Sequence, residues 1–196
     1  CNDKAASFIE EQVNFADGPR VLELGAGTGA LSVCAVKAGA SKVVCTDLEP
    51  VLDLIRGNFV KNGVDIDLHT VASVMPLEWG DEAQLSSILG NEGAAGAGGA
   101  AGRSGQTKAR AFDLVVAIET VYWGGWDLLS VDTRVSLLDT IQAVSGPDTV
   151  TVLAFTLRDA GREKTLLQWA EERFAVTYSA STKAFKDLEE GDVVLA

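Results

Sequence analysis

The chain is short of the residues on which many chemistries depend. Its 196 residues include three cysteines, Cys1, Cys34 and Cys45, and one histidine, His69. Cysteines spaced this way give neither a disulfide framework nor a metal-ligand set, and no metal is expected. Cys34 and Cys45 sit inside apolar runs, where a free thiol packs as a small hydrophobe, and no histidine stands ready to deprotonate either. Only His69 could serve a Ser-His-Asp site, and no serine lies in a nucleophile-elbow context. No apolar run approaches the roughly 20 residues that span a bilayer, so no membrane partner is expected. The opening CNDKAASFIEEQ lacks the basic start and apolar stretch of a secretory signal. It also lacks an initiator methionine, so a fragment or trimmed chain is expected, soluble and cytoplasmic, with the nucleus as the other compartment. Cations are scarce too, 16 Lys and Arg against 28 Asp and Glu, for a formal charge of −12. Such a surface repels phosphate backbones, which argues against nucleic acid and in favour of a basic protein partner.

The length fits one α/β domain over residues 1–196, with a single core. Helical spacing is expected over Asp3–Phe15, Thr28–Ala38, Pro50–Lys61, Glu82–Leu89, Val131–Val144 and Glu163–Phe174. Strand-like runs fall at Arg20–Leu24, Lys42–Thr46, Asp65–Ala72, Ala111–Ile118 and Thr149–Thr156, and Val176–Ala196 reads as two more. Strands alternate with helices, so the pattern predicts a mostly parallel sheet with helices on both faces. Gly90–Ala109 is rich in glycine and alanine and holds no core-forming residue. It is expected to be a flexible surface loop inserted in the domain.

VLELGAGTGAL, Val21–Leu31, carries a buried strand into a turn whose glycines, Gly25, Gly27 and Gly29, allow close backbone approach at a helix start. Alone the turn is ambiguous, because Gly25, Gly27 and Ala30 also satisfy a loose dinucleotide fingerprint. Glu23 stands two residues earlier, near the C-terminal end of its strand, where open α/β sheets bind ligands. A carboxylate there can pair with an α-ammonium group, which a nicotinamide dinucleotide does not possess; the alternative is a solvated strand-end charge. Asp47 follows the second strand, 20 residues past Gly27, where a carboxylate can accept from both hydroxyls of a ribose. Trp79, in PLEWG, offers an aromatic wall for a base, or a core side chain.

These segments resemble the lysine-methyltransferase-like family of class I methyltransferases. VLELGAGTG is similar to the family's cofactor turn, VVCTDLEPVLDLIRGNFVKNG to its second strand and following helix, and LEWG to its adenine-side segment. FDLVVAIETVYW resembles its fourth-strand motif, and LLDTIQAVSGPDTVTVLAFTLRD with LLQWAEERFAV its fifth strand and flanking helices. The resemblance runs from about Ala5 to the C-terminus. It implies a Rossmann-like sheet of seven strands, the last antiparallel, and S-adenosyl-L-methionine as cofactor. It further implies that Gly25, Ala26, Gly27, Asp47, Trp79 and Ile118 contact that cofactor, beside Glu23 and Gly29 of the same turn. Glu119 and Tyr122, just past the fourth strand, would orient the acceptor, a lysine side chain of a protein substrate.

Two departures qualify the resemblance. Lysine-specific members usually carry Asp where Glu119 stands, and Glu119-Thr120-Val121-Tyr122 is closer to a histidine-modifying branch. Members also carry a tryptophan upstream of the first helix, and this chain begins after that point, so the family's N-terminal segment is expected to be missing. A protein-histidine or small-molecule acceptor, a nicotinamide-dependent dehydrogenase and a non-catalytic binding module stay open as alternatives. The oligomeric expectation is a monomer.

Overall fold

A computed structural model of the chain describes residues 18–66, 70–95, 112–121, 133–158, 160–178 and 193–195. In chain order these form β1 (Arg20–Leu24), α1 (Ala30–Lys37), β2 (Lys42–Asp47), a 3-10 turn (Glu49–Val51), α2 (Leu52–Lys61), β3 (Ala72–Pro76) and α3 (Glu82–Ala95). There follow β4 (Leu114–Ile118), α4 (Thr133–Val144), β5 (Val150–Thr156), α5 (Ala160–Arg173) and β6 (Val193–Leu195). The sheet order is β3-β2-β1-β4-β5-β6. The first five strands are parallel, and β6 pairs antiparallel with β5.

Period-2 alternation sorts the strand residues between two helical layers. Leu22, Leu24, Val115, Ala117, Leu153 and Phe155 point to the layer that holds Ile88, Leu137, Ile141 and Leu166. Their neighbours Val21, Val43, Leu114, Val116 and Val152 face the other side, where Leu31, Ala35 and Val36 of α1 pack. Cys45 and Ala72 meet Leu52, Ile55 and Phe59 of α2 there. Both faces being covered explains why β1, β2 and β4 read as nearly continuous apolar runs.

The structure moves three sequence expectations. The third strand runs over Ala72–Pro76, not Asp65–Ala72, because its register pairs Val43 with Ala72 and Asp47 with Pro76; Ile66 makes only an isolated bridge to Ala72. Helix α3 continues to Ala95, six residues into the expected loop. Ile88 is buried and Leu89 packs against the core, which anchors the helix at the point where the loop was expected to begin. Val176–Tyr178 carries no strand, so the sheet has six strands among the described residues where seven were expected. The helix expected over Asp3–Phe15 lies outside the described residues, as do residues 96–111.

The start of α1 depends on a residue of the preceding strand. Gly29 occupies the N-cap at φ 72° and has no side chain with which to cap. The first N–H groups of a helix have no intrahelical acceptor. Glu23 supplies one: its Oε2 accepts from the Ser32 backbone N–H at 3.0 Å and from the Ser32 hydroxyl. The Cys45 thiol donates to the same oxygen at 3.8 Å. Glu23 is only 5% exposed, and its register neighbour in β2 is Cys45. Burial therefore raises its pKa from the ordinary 4.5 to about 7, against the opposing hydrogen bonds from Ser32. Burial and the Glu23 charge push the Cys45 thiol far up as well, so that thiol is inert.

Two stability measurements follow from this layer. A Cβ on Gly29 would stand 2.9 Å from Ile55 Cγ2 and 2.9 Å from Phe59 Cε2, at a φ of 72°. Gly29→Ala should lose about 2–3 kcal/mol in chemical denaturation, combining left-handed strain with overpacking. The folded chain holds the Glu23 proton more tightly than the unfolded chain. Its contribution is therefore fully present below pH 4.5 and lost as pH rises through about 7. Glu23→Gln cannot ionise, so its stability relative to wild type should climb by up to about 3 kcal/mol between pH 4.5 and pH 8. A difference that stays flat with pH would contradict the buried, proton-holding Glu23.

Candidate active site

Strand order reverses between β1 and β4, since β1 pairs with β2 on one side and β4 on the other. In an open parallel sheet that reversal leaves a crevice at the C-terminal strand ends. Two segments singled out in the sequence leave the sheet there: the glycine turn after Leu24 and the Glu119 segment after Ile118.

The three glycines of the turn all have positive φ, and they differ in their surroundings. A Cβ on Gly25 would stand 2.7 Å from Thr120 Cγ2 and 3.3 Å from the Trp79 ring, and one on Gly29 would strike α2. Those two positions are glycine because side chains already fill the space. Gly27, at φ 57°, has nothing within 4 Å of its Cβ position and is exposed. It offers bare backbone to whatever enters the crevice. The turn closes through Gly29 N–H donating to the Ala26 carbonyl at 2.9 Å, and Ala26 N–H donates to the Thr46 carbonyl of β2 at 3.0 Å.

Asp47 ends β2 beside this turn. Its Oδ2 accepts from Gly27 N–H at 2.7 Å and its Oδ1 from Leu48 N–H at 2.7 Å. The expected ribose acceptor is thus also the strut that fixes the exposed glycine. A carboxylate offers about four lone-pair positions, so each oxygen retains capacity for a further donor. Glu23 stands differently from expectation. Its side chain points to the α1 layer and Oε2 is occupied by Ser32 and Cys45, so it is neither a solvated strand-end charge nor fully free for a ligand. Trp79 is half-buried and packs against the core layer while its ring edge faces Gly25. Ile118, half-buried at the end of β4, packs on the α1 side.

Glu119 is the one residue other than glycine with positive φ, 53°, among the described residues. Its backbone N–H donates to the Ala154 carbonyl at 2.7 Å. Its Oε1 accepts from the Thr156 N–H at 3.0 Å and the Thr156 hydroxyl at 2.8 Å. Its Oε2 accepts from Arg158 Nη2 at 2.5 Å, and Arg158 Nη1 donates to the Val121 carbonyl at 3.5 Å. The pair is about half exposed, 50% for Arg158 and 44% for Glu119. An ion pair so exposed contributes about 0–1 kcal/mol, and left-handed backbone at such a residue costs about 1–2 kcal/mol. The arrangement therefore fixes a geometry and adds little to stability. Next to it the hydroxyl of Thr120, 5% exposed, has no hydrogen-bond partner among the described residues.

Tyr122, the other expected acceptor-side residue, lies outside the described residues. Ser32, Thr120, Thr156 and Arg158 escaped the sequence reading. Thr156 and Arg158 had a signal: they flank the buried Leu157 at alternate positions as β5 ends, so both face away from the core. No group of His, Cys, Asp and Glu among the described residues is placed to hold a metal ion. No described helix is long and apolar enough to cross a membrane.

A lysine methyltransferase family model matches residues 4–91. The chain is 30% identical over 169 residues to the protein N-lysine methyltransferase METTL21A of Danio rerio, covering 86% of this chain and 63% of the zebrafish protein. It thus spans less than two thirds of that relative's length. A ribosomal protein L11 methyltransferase of Symbiobacterium thermophilum is 44% identical over 62 residues, 31% of this chain and 20% of that protein. Among solved structures, a TehB-like SAM-dependent methyltransferase from Corynebacterium glutamicum aligns with a TM-score of 0.54 at 20% identity, over 97% of this chain and 83% of that one. The glycopeptide N-methyltransferase MtfA, complexed with sinefungin, aligns with a TM-score of 0.56 at 13% identity, over 98% and 90%. These structures share the Rossmann-like methyltransferase fold. In fold the chain is similar to these methyltransferases, and in sequence it is similar to lysine methyltransferases over the residues given above.

Proposed function

We propose that this chain is the catalytic domain, 1–196, of an S-adenosylmethionine-dependent protein N-methyltransferase whose acceptor is a lysine side chain. The observation that carries the reading is the meeting, at one strand-order reversal, of a bare glycine turn braced by Asp47 and a carboxylate held on the neighbouring strand end. What supports a fit of these residues to the cofactor is the open space at Gly27, where a Cβ would meet nothing within 4 Å. Asp47 would take the ribose hydroxyls, Gly25, Ala26, Gly27 and Gly29 the close backbone approach, and Trp79 and Ile118 the flanking apolar contacts. Glu23 would act on the amino-acid end from beneath the turn. The cofactor brings a methyl group already activated on a sulfonium.

The chain's own task is to present a neutral amine in line with that methyl group. A lysine ammonium has an ordinary pKa of about 10.4, and desolvation beside the cleft favours its neutral form. Three donors already hold Glu119, two on Oε1 and one on Oε2. One lone pair of Oε2 is left to accept from the amine and set its direction. Glu119 is on this reading an orienting acceptor, with Tyr122 as its companion. The reading keeps the seven-stranded sheet with an antiparallel last strand, a cytoplasmic or nuclear monomer, and a basic protein partner suited to the −12 charge. A histidine acceptor is the second reading, favoured by glutamate at position 119.

Incubation with labelled cofactor and a cell extract, followed by mass spectrometry, tests both. Methyl groups are expected on lysine; methyl groups on histidine alone would replace the first reading with the second. Label confined to metabolites would overturn both. Asp47→Ala should weaken cofactor binding about tenfold or more by calorimetry, losing a bidentate acceptor worth about 1.5–3 kcal/mol. Glu119→Ala should leave that affinity within a factor of about two while lowering kcat about 100-fold.

A further inference from the structure

The geometry points to Arg158 as a positioning residue for methyl transfer, acting through the Glu119 carboxylate. The inference rests on the acceptor-orienting reading of Glu119 given above. It begins from four contacts between the ends of β4 and β5: Glu119 N–H to the Ala154 carbonyl, Thr156 N–H and Oγ to Oε1, and Arg158 Nη2 to Oε2. The first three would hold the backbone and one oxygen in place without Arg158. Among the described residues only Arg158 holds the second oxygen, the one with a lone pair to spare. It also reaches past the carboxylate to the Val121 carbonyl, so it ties both ends of the segment that leads into Tyr122.

The chain at 156–158 is built to hold this cation in place. Leu157 is 1% exposed and locked in the core, so its two neighbours are fixed on the outward side of the strand end. Arg158 then meets Glu119 across the β4–β5 boundary, where Ile118 is in register with Ala154. Glu119 answers with φ 53°, which turns its side chain toward β5. A guanidinium suits the task because its planar fork can serve the carboxylate and a carbonyl together. An ammonium is a single point charge and can serve the carboxylate alone.

The test is steady-state methyl transfer to a lysine-bearing protein identified in the labelling experiment, with cofactor affinity and Tm measured on each variant. Arg158→Ala should lower kcat about 10- to 100-fold, as loss of acceptor alignment does, with cofactor Kd within about twofold and KM little changed. Arg158→Lys should restore part of kcat. In a Glu119→Ala background, Arg158→Ala should add little further, because the arginine acts chiefly through that carboxylate and its contact to the Val121 carbonyl, at 3.5 Å, is the longer one. A kcat within twofold of wild type for Arg158→Ala would overturn the inference. Losses that multiply in the double variant would overturn it too, as would a kcat loss matched by a fall in Tm. If wild type transfers methyl to lysine but Glu119→Ala is unimpaired, the orienting reading fails instead, and that outcome is separate from any result at Arg158.

Discussion

Everything at the site depends on β1 lying between β2 and β4. Parallel strands need crossover connections, and right-handed crossovers to opposite sides of β1 send α1 and α2 to one face and the later helices to the other. The connections that leave β1 and β4 then diverge to opposite faces at the C-terminal strand ends. The glycine turn at Gly25 and the carboxylate of Glu119 become neighbours by that one pairing, and neither segment contains anything that would bring them together alone.

Two acidic residues show how the cleft is supported from below. Asp47 braces the turn at Gly27, and Glu23 braces the helix that the turn feeds. Both are carboxylates satisfying backbone N–H groups that the glycines leave without side-chain partners. The same lack of side chains that opens the turn to a ligand thus requires acceptors from elsewhere. Their different environments give them different chemistry: Asp47 remains accessible, while burial leaves Glu23 near neutrality in its titration.

Much of this was legible in the sequence because it was carried by local pattern. Arg20–Leu24 and Lys42–Asp47 are dense in β-branched and apolar residues between clear turn signals, and their limits were read to within a residue. The glycine spacing and the position of Asp47 were equally local. Strand β3 was misplaced because an edge strand is defined by its register with β2, which no short window contains. The orientation of Glu23 was missed for a related reason: its partner Ser32 faces it only after α1 folds back on the sheet. Arg158 needed the β4–β5 pairing before its reach to Glu119 had any meaning.

The misplaced strand has a bearing on how copies of this chain behave toward one another. An open sheet edge is a template on which another strand can assemble. At the start of β3, Ile66 bridges Ala72; at its end stands Pro76, which has no N–H to offer. Only Ser73, Val74 and Met75 lie between these two guards. A stretch that short gives an incoming strand too little ladder to extend. Among the described residues β3 ends the sheet, and so short a border gives a second sheet little to build on.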